Sequence, residues 1–108
     1  MSKEPVVIVG GGPCGLAAAF FLSRRGVPVT VLERGLTVSE DPRAATFHPP
    51  TLEMFFDGGI TDRLHELGII TRIWQFRGRA EGLIAAFDLS VLSGDTPFPY
   101  RLQCEQHK

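Results

Sequence analysis

The sequence predicts an α/β fold built on a parallel β–α–β unit, and three observations carry that prediction. First, the apolar run Val6-Val7-Ile8-Val9, rich in β-branched residues and bounded by Pro5 and Gly10, reads as a buried strand. Second, Gly10, Gly12 and Gly15 have the spacing G-x-G-x-x-G and lead into a helix-forming run, Cys14 to Arg25, that stops at Gly26. Third, Val27 to Leu32 is another β-rich run, and it ends in an acid, Glu33, 18 residues beyond Gly15.

Each glycine has a separate task at such a junction. Gly10 permits the tight turn, Gly12 lets the backbone approach a pyrophosphate, and Gly15, lacking Cβ, lets the helix pack close to the strand. The helix begins with free N–H groups and the positive end of its dipole. Glu33 stands near the spacing of about 20 residues expected of a carboxylate that accepts hydrogen bonds from an adenosine ribose. The same residues also fit a β–α–β connector that binds no nucleotide, and the glycines and Glu33 suit NAD as well as FAD. Cys14 lies at a helix N-terminus, where thiol pKa values fall. It has no neighbouring base or second cysteine in sequence, so it reads as a small residue fitted beside the phosphates.

Composition excludes several function classes. The chain has 108 residues, a formal net charge of −1 and 44% hydrophobic residues, the profile of a globular domain. Balanced charge gives no footprint for nucleic acid or an anionic membrane. No apolar run reaches the ~20 residues that span a bilayer. Met1 to Pro5 lead straight into the first strand without the layout of a signal peptide. Two cysteines, Cys14 and Cys104, make no disulfide framework and fit a reducing, cytoplasmic setting. No His/Cys cluster has metal-ligand spacing, and His48 and His65 read as solvent-edge residues. A two-stranded parallel unit needs cover on both faces, and Gln103 to Lys108 resemble a strand leaving for a helix, so the sequence reads as an incomplete domain.

Leu36 to Thr46 is loop by composition, and its Arg43 fits either a surface cation or a bidentate phosphate ligand. Pro49-Pro50 opens a helix from Thr51 to about Asp57. Ile60 to Leu67 forms a second short helix with Thr61 as its expected N-cap, closed by Gly68. Arg72 to Arg79 and Leu83 to Leu89 pair as a hairpin, placing a β-hairpin unit at about residues 72–92. Trp74, Phe76 and Phe87 could line an aromatic pocket, but core packing explains them more simply. Ser93 to Pro99 is turn-rich, Tyr100 to Cys104 is a short strand, and Gln106 stands where a further helix would begin.

Gly10-Gly11-Gly12-Pro13-Cys14-Gly15-Leu16, Val31-Leu32-Glu33-Arg34, Arg43-Ala44-Ala45, Thr51-Leu52-Glu53, Gly59-Ile60 and Tyr100 to Gln106 together resemble the FAD-dependent aromatic hydroxylases. This is the single-component flavoprotein monooxygenase group typified by para-hydroxybenzoate hydroxylase. Pro13 and Arg34 are usual there and less typical of simple nicotinamide dehydrogenases. The resemblance covers essentially the whole chain. It implies that the segment Gly10, Gly11, Gly12, Pro13, Cys14 and Gly15 binds the FAD pyrophosphate and that Glu33 binds the adenosine ribose. It further implies that Arg34 lies along the adenine side, Arg43 reaches toward the pyrophosphate, and Gln106 touches the ribityl or phosphate region.

The hairpin would belong to the sheet over the substrate site. The implied enzyme reduces FAD with NADH or NADPH and uses O2 to hydroxylate a small aromatic, phenolic substrate. No residue of this stretch reads as a catalytic acid or base. The Asp-Gly and Gly-Asp motifs of the family lie farther along than this sequence runs. Asp57-Gly58 and Gly94-Asp95 share the letters only and read as turns. On its own the stretch is therefore expected to be an inactive FAD-binding segment. The other readings are a non-catalytic dinucleotide-binding module and part of an NAD-dependent oxidoreductase.

Overall fold

A computed structural model describes residues 4–41 and 43–108. Met1 to Lys3 of the expected lead-in and Pro42 of the expected loop lie outside the described residues. The chain divides into two compact units between Ser39 and Glu40.

In the first unit, β1 (Val6–Val9) runs parallel to β2 (Val29–Leu32) with Val6 opposite Val29 and Val9 opposite Leu32, joined by helix α1 (Pro13–Arg24). Proline at the first helical position starts α1, as its fixed φ and missing N–H favour. The helix closes with a Schellman pair of hydrogen bonds, Gly26 N–H to Ser23 and Val27 N–H to Leu22. The second strand is shorter than expected, because Val27 is consumed in that closure and Pro28 has no N–H to give a ladder. The expectation of a buried first strand is corrected. Val6, Val7 and Val9 are 41%, 57% and 85% exposed, and only Ile8 is half-buried. One helix cannot cover both faces of a parallel pair.

The second unit contains β3 (Thr46–Phe47), α2 (Pro49–Phe56), α3 (Ile60–Leu67), β4 (Ile69–Thr71), β5 (Ile73–Gly78), β6 (Gly82–Asp88), a 3-10 turn (Leu89–Gly94) and β7 (Arg101–Gln103). Strands β3, β7 and β4 form an antiparallel sheet with β7 central. Strands β5 and β6 form the expected hairpin, with a bulge at Phe76/Arg77. Leu52, Phe98, Tyr100 and Leu102 make the core, with Phe47 and Leu64 packed against it. Fully burying a side chain of that kind is worth about 1.5–3 kcal/mol.

Three expectations change here. Thr61 is not an N-cap. Gly59 takes that position, and the fully buried Thr61 donates its hydroxyl to the Leu52 carbonyl at 2.6 Å, tying α3 to α2. His65 is not a solvent-edge residue. It is half-buried, with Nε2 and the Tyr100 hydroxyl 2.7 Å apart and its ring 5.9 Å from that of Phe98. Trp74, Phe76 and Phe87 are not core. They are 44%, 47% and 52% exposed, although their ring centroids stand only 5.1–6.2 Å apart. Strand pairing sets Trp74 opposite Phe87, so all three rings share one face of a two-stranded sheet.

Candidate dinucleotide site

The glycine turn between β1 and α1 is shaped by two constraints. Gly10 sits at φ +109°, a conformation that side-chain-bearing residues rarely adopt. Gly15 approaches the strand so closely that an added Cβ would lie 2.0 Å from the Gly10 carbonyl oxygen and 3.3 Å from Ile8 Cγ2. Helix and strand therefore meet through backbone, as the sequence pattern requires.

Gly12 is the N-cap of α1, and no side chain caps the helix. Leu16 N–H makes the first intrahelical bond, to Gly12 at 2.9 Å. The N–H groups of Cys14 and Gly15 precede that bond, and Pro13 has none, so the helix start presents donors to an anion. A Cβ added at Gly12 would meet nothing within 4 Å. That open approach is what a pyrophosphate needs, and the residues present fit one.

Glu33, just beyond β2, faces the turn. Its Oε2 accepts a hydrogen bond from Gly11 N–H and its Oε1 from Gly35 N–H, each at 2.6 Å. The Gly35 bond first, then the Gly11 bond, holds this carboxyl below the usual carboxylate range, outweighing partial desolvation, and the Arg34 charge adds to the effect. Each oxygen retains a second lone pair, so the carboxylate can still accept from a ribose hydroxyl. Cys14 is exposed and free.

The structure thus brings together Gly10, Gly11, Gly12, Pro13, Cys14, Gly15 and Glu33. Arg34 follows Glu33 and is exposed. Gly35 was not legible as a partner of Glu33. A glycine two residues past an acid, with another glycine in the turn, is the signal that could have found it.

Arg43 and Gln106 belong to the second unit and are both exposed. The antiparallel register Thr46 opposite Gln103 is extended by Cys104 N–H to the Ala45 carbonyl at 2.8 Å, and Thr46 Oγ1 donates to Gln103 Oε1 at 2.9 Å. Arg43 and Gln106 therefore leave the β3–β7 ladder at the same end. Beside it lies a cleft of about 210 Å³ lined by Ala45, Leu67, Ile69, Gln103, Cys104, Glu105 and Lys108. Among the described residues no group of three or more His, Cys, Asp or Glu could hold a metal ion, and no helix is long and apolar enough to cross a membrane.

Comparison with known proteins agrees with this geometry. A family described as FAD binding domain matches residues 3–107. Para-nitrophenol 4-monooxygenase of Pseudomonas sp. (strain WBC-3) is 39% identical over 104 residues, which is 96% of this chain and 26% of that protein. Among solved structures, p-nitrophenol 4-monooxygenase PnpA of Pseudomonas putida DLL-E4 is similar with a TM-score of 0.89 and 39% identity, over 96% of this chain and 26% of that one. The flavin-dependent monooxygenase PieE, solved with FAD and substrate, matches with a TM-score of 0.79 and 30% identity over 98% of this chain and 20% of its own. The chain spans about a quarter of the length of the curated relative from Pseudomonas sp. (strain WBC-3), 26%.

Proposed function

This chain belongs to the FAD binding domain family, and from that premise we propose that it is the FAD-binding segment of a flavin-dependent monooxygenase. The reaction is hydroxylation of a small aromatic, phenolic substrate at the expense of NADH or NADPH and O2. One observation carries the reading: the bare glycine turn opens at Gly12 onto the start of α1, beside an ionised Glu33. The relatives described above support the reaction class, since each is named a monooxygenase and two are named for para-nitrophenol.

FAD supplies the oxygen-activating chemistry when bound. The residues of this chain bind and orient it. Cys14 and Gly15 offer N–H donors to the pyrophosphate, Gly12 leaves room for it, and Glu33 accepts from the adenosine ribose. On the resemblance, Arg34 would lie on the adenine side. Arg43 and Gln106 are assigned to the pyrophosphate and ribityl regions on the resemblance, and their shared end of the β3–β7 ladder supports treating them as a pair. The hairpin β5–β6 is assigned to the substrate-side sheet, which its exposed aromatic face supports. The free thiols Cys14 and Cys104 support a cytoplasmic setting.

The test is ligand choice and one substitution. Titrating the protein with FAD and with NAD, followed by flavin fluorescence and calorimetry, is expected to give tighter binding of FAD. Tighter NAD binding overturns the assignment in favour of a nicotinamide-dependent oxidoreductase. In the full-length enzyme, Gly12→Val would put a side chain into the space open to the pyrophosphate and is expected to abolish flavin retention.

A further inference from the structure

Three consecutive glycines give the Gly10-Gly11-Gly12 turn the greatest backbone freedom a chain can have. A phosphate site needs that backbone fixed, because ordering it on arrival of the ligand weakens binding. The structure contains a device that fixes it without any ligand. Glu33 Oε2 takes the Gly11 N–H and Glu33 Oε1 takes the Gly35 N–H, both at 2.6 Å. One carboxylate therefore clasps the middle of the turn and the chain leaving β2.

Packing reinforces the clasp. An ideal Cβ at Gly11 would stand 3.2 Å from both Cβ and Oε2 of Glu33, and one at Gly35 would stand 3.2 Å from Oε1. Glu33 occupies the space that side chains at those two positions would take.

We propose that Glu33 is a positioning residue that braces the glycine turn in the ligand-free protein, fixing the Gly11 peptide so that the open side at Gly12 is ready for a dinucleotide phosphate. This role is separate from the ribose contact, and it rests on the FAD reading only for the identity of the ligand. It also sorts the donors of the turn. The Gly11 N–H is spent on Glu33, which leaves the Cys14 and Gly15 N–H groups for the phosphates. Arg34, the charged neighbour that acts on Glu33, favours the ionised form that braces. The carboxylate has lone pairs left for a ribose hydroxyl, so bracing and ribose binding are compatible.

The experiment is amide hydrogen exchange, read residue by residue by NMR on the ligand-free chain and on Glu33→Gln. Glutamine keeps the length but sets its NH2 against one of the two N–H donors. Exchange at Gly11 or at Gly35, whichever N–H meets the NH2 group, is expected to accelerate roughly tenfold to a hundredfold, the loss of a charge-assisted bond, with the β1 and β2 amides unchanged. Unchanged rates at both Gly11 and Gly35 overturn the proposal. Should Glu33→Gln lose the β1–β2 pairing altogether, the unsubstituted chain decides by pH titration. The Gly11 and Gly35 amide shifts are expected to move together with the Glu33 carboxyl carbon, and independent movement overturns the brace. FAD titration of the unsubstituted chain keeps the two readings apart. Protected Gly11 without FAD binding sinks the FAD reading alone, whereas FAD binding with an unprotected Gly11 sinks the brace alone.

Discussion

The α-carbon of Gly15 faces the Gly10 carbonyl so directly that a Cβ added there would sit 2.0 Å from its oxygen. No relaxation of a flexible side chain can relieve that contact, because the opposing atom is backbone. Gly15→Ala must push α1 away from β1, at a cost of about 1–3 kcal/mol on the scale of overpacked sites. Gly12→Ala is different. Its Cβ would meet nothing within 4 Å, so stability should stay within about 0.5 kcal/mol of the parent. Urea unfolding of the two variants, beside FAD titration of each, is expected to separate them. Gly15→Ala loses both stability and flavin, and Gly12→Ala weakens flavin binding alone.

Within the second unit, the hydroxyl of Thr61 donates to the Leu52 carbonyl at 2.6 Å in a fully buried setting. Thr61→Val keeps the shape and removes the donor. Leu52 lies within α2, where its carbonyl also faces the helical N–H of Phe56, so losing the added Thr61 bond costs about 0.5–1.5 kcal/mol. A lower thermal midpoint for Thr61→Val, with Thr61→Ser restoring most of it, is the expected result. Equal midpoints for all three proteins would show that the Leu52 carbonyl finds another donor.

These two sites show what the sequence could and could not reveal. The β–α–β unit was legible because its signals are local: β-branched runs, glycine spacing, a closing Gly26 and a strand-ending acid. Helix α3 was legible for the same reason, down to Ile60 and Leu67. Strands β3 and β4 were missed because they are two and three residues long and exist only through pairing with β7, far along the chain. Thr61 and His65 were misread because their partners, the Leu52 carbonyl and the Tyr100 hydroxyl, are brought to them by tertiary packing. The aromatic triplet of the hairpin was misread for the opposite reason. An alternating aromatic pattern implies a covered face, and within the described residues that face is exposed.

Acid stability should report on Glu33. Its folded-state pKa is lowered from the ordinary 4.5 by the Gly35 and Gly11 N–H groups. A lowered folded value contributes stability that is present above the unfolded pKa and lost as pH falls through the folded one. The first unit is therefore expected to weaken as pH drops from about 4.5 downward, and Glu33→Gln should flatten that part of the profile. Asp88, lowered by the Ser90 N–H, adds a similar slope in the second unit. Residue-resolved NMR of β1–β2 and of β5–β6 across this range distinguishes the two contributions.

Tyr100 offers a cleaner titration, because it is the one tyrosine in the sequence. Burial raises its pKa above the ordinary 10.0, and the Arg72 guanidinium, 5.6 Å from the ring, opposes that rise. The neutral phenol is the form that packs in the core and meets His65 Nε2 at 2.7 Å. A raised folded value means the stabilisation is complete below the unfolded pKa and is lost as pH climbs through the folded one. Ultraviolet absorbance of the phenolate should therefore show a midpoint above 10, accompanied by loosening of the Leu52, Phe98 and Leu102 core. Arg72→Met removes the opposing charge and keeps the stem, and the midpoint is then expected to move higher still. A midpoint at or below that of free tyrosine would mean that the hydroxyl stands in water and that His65 is not its partner.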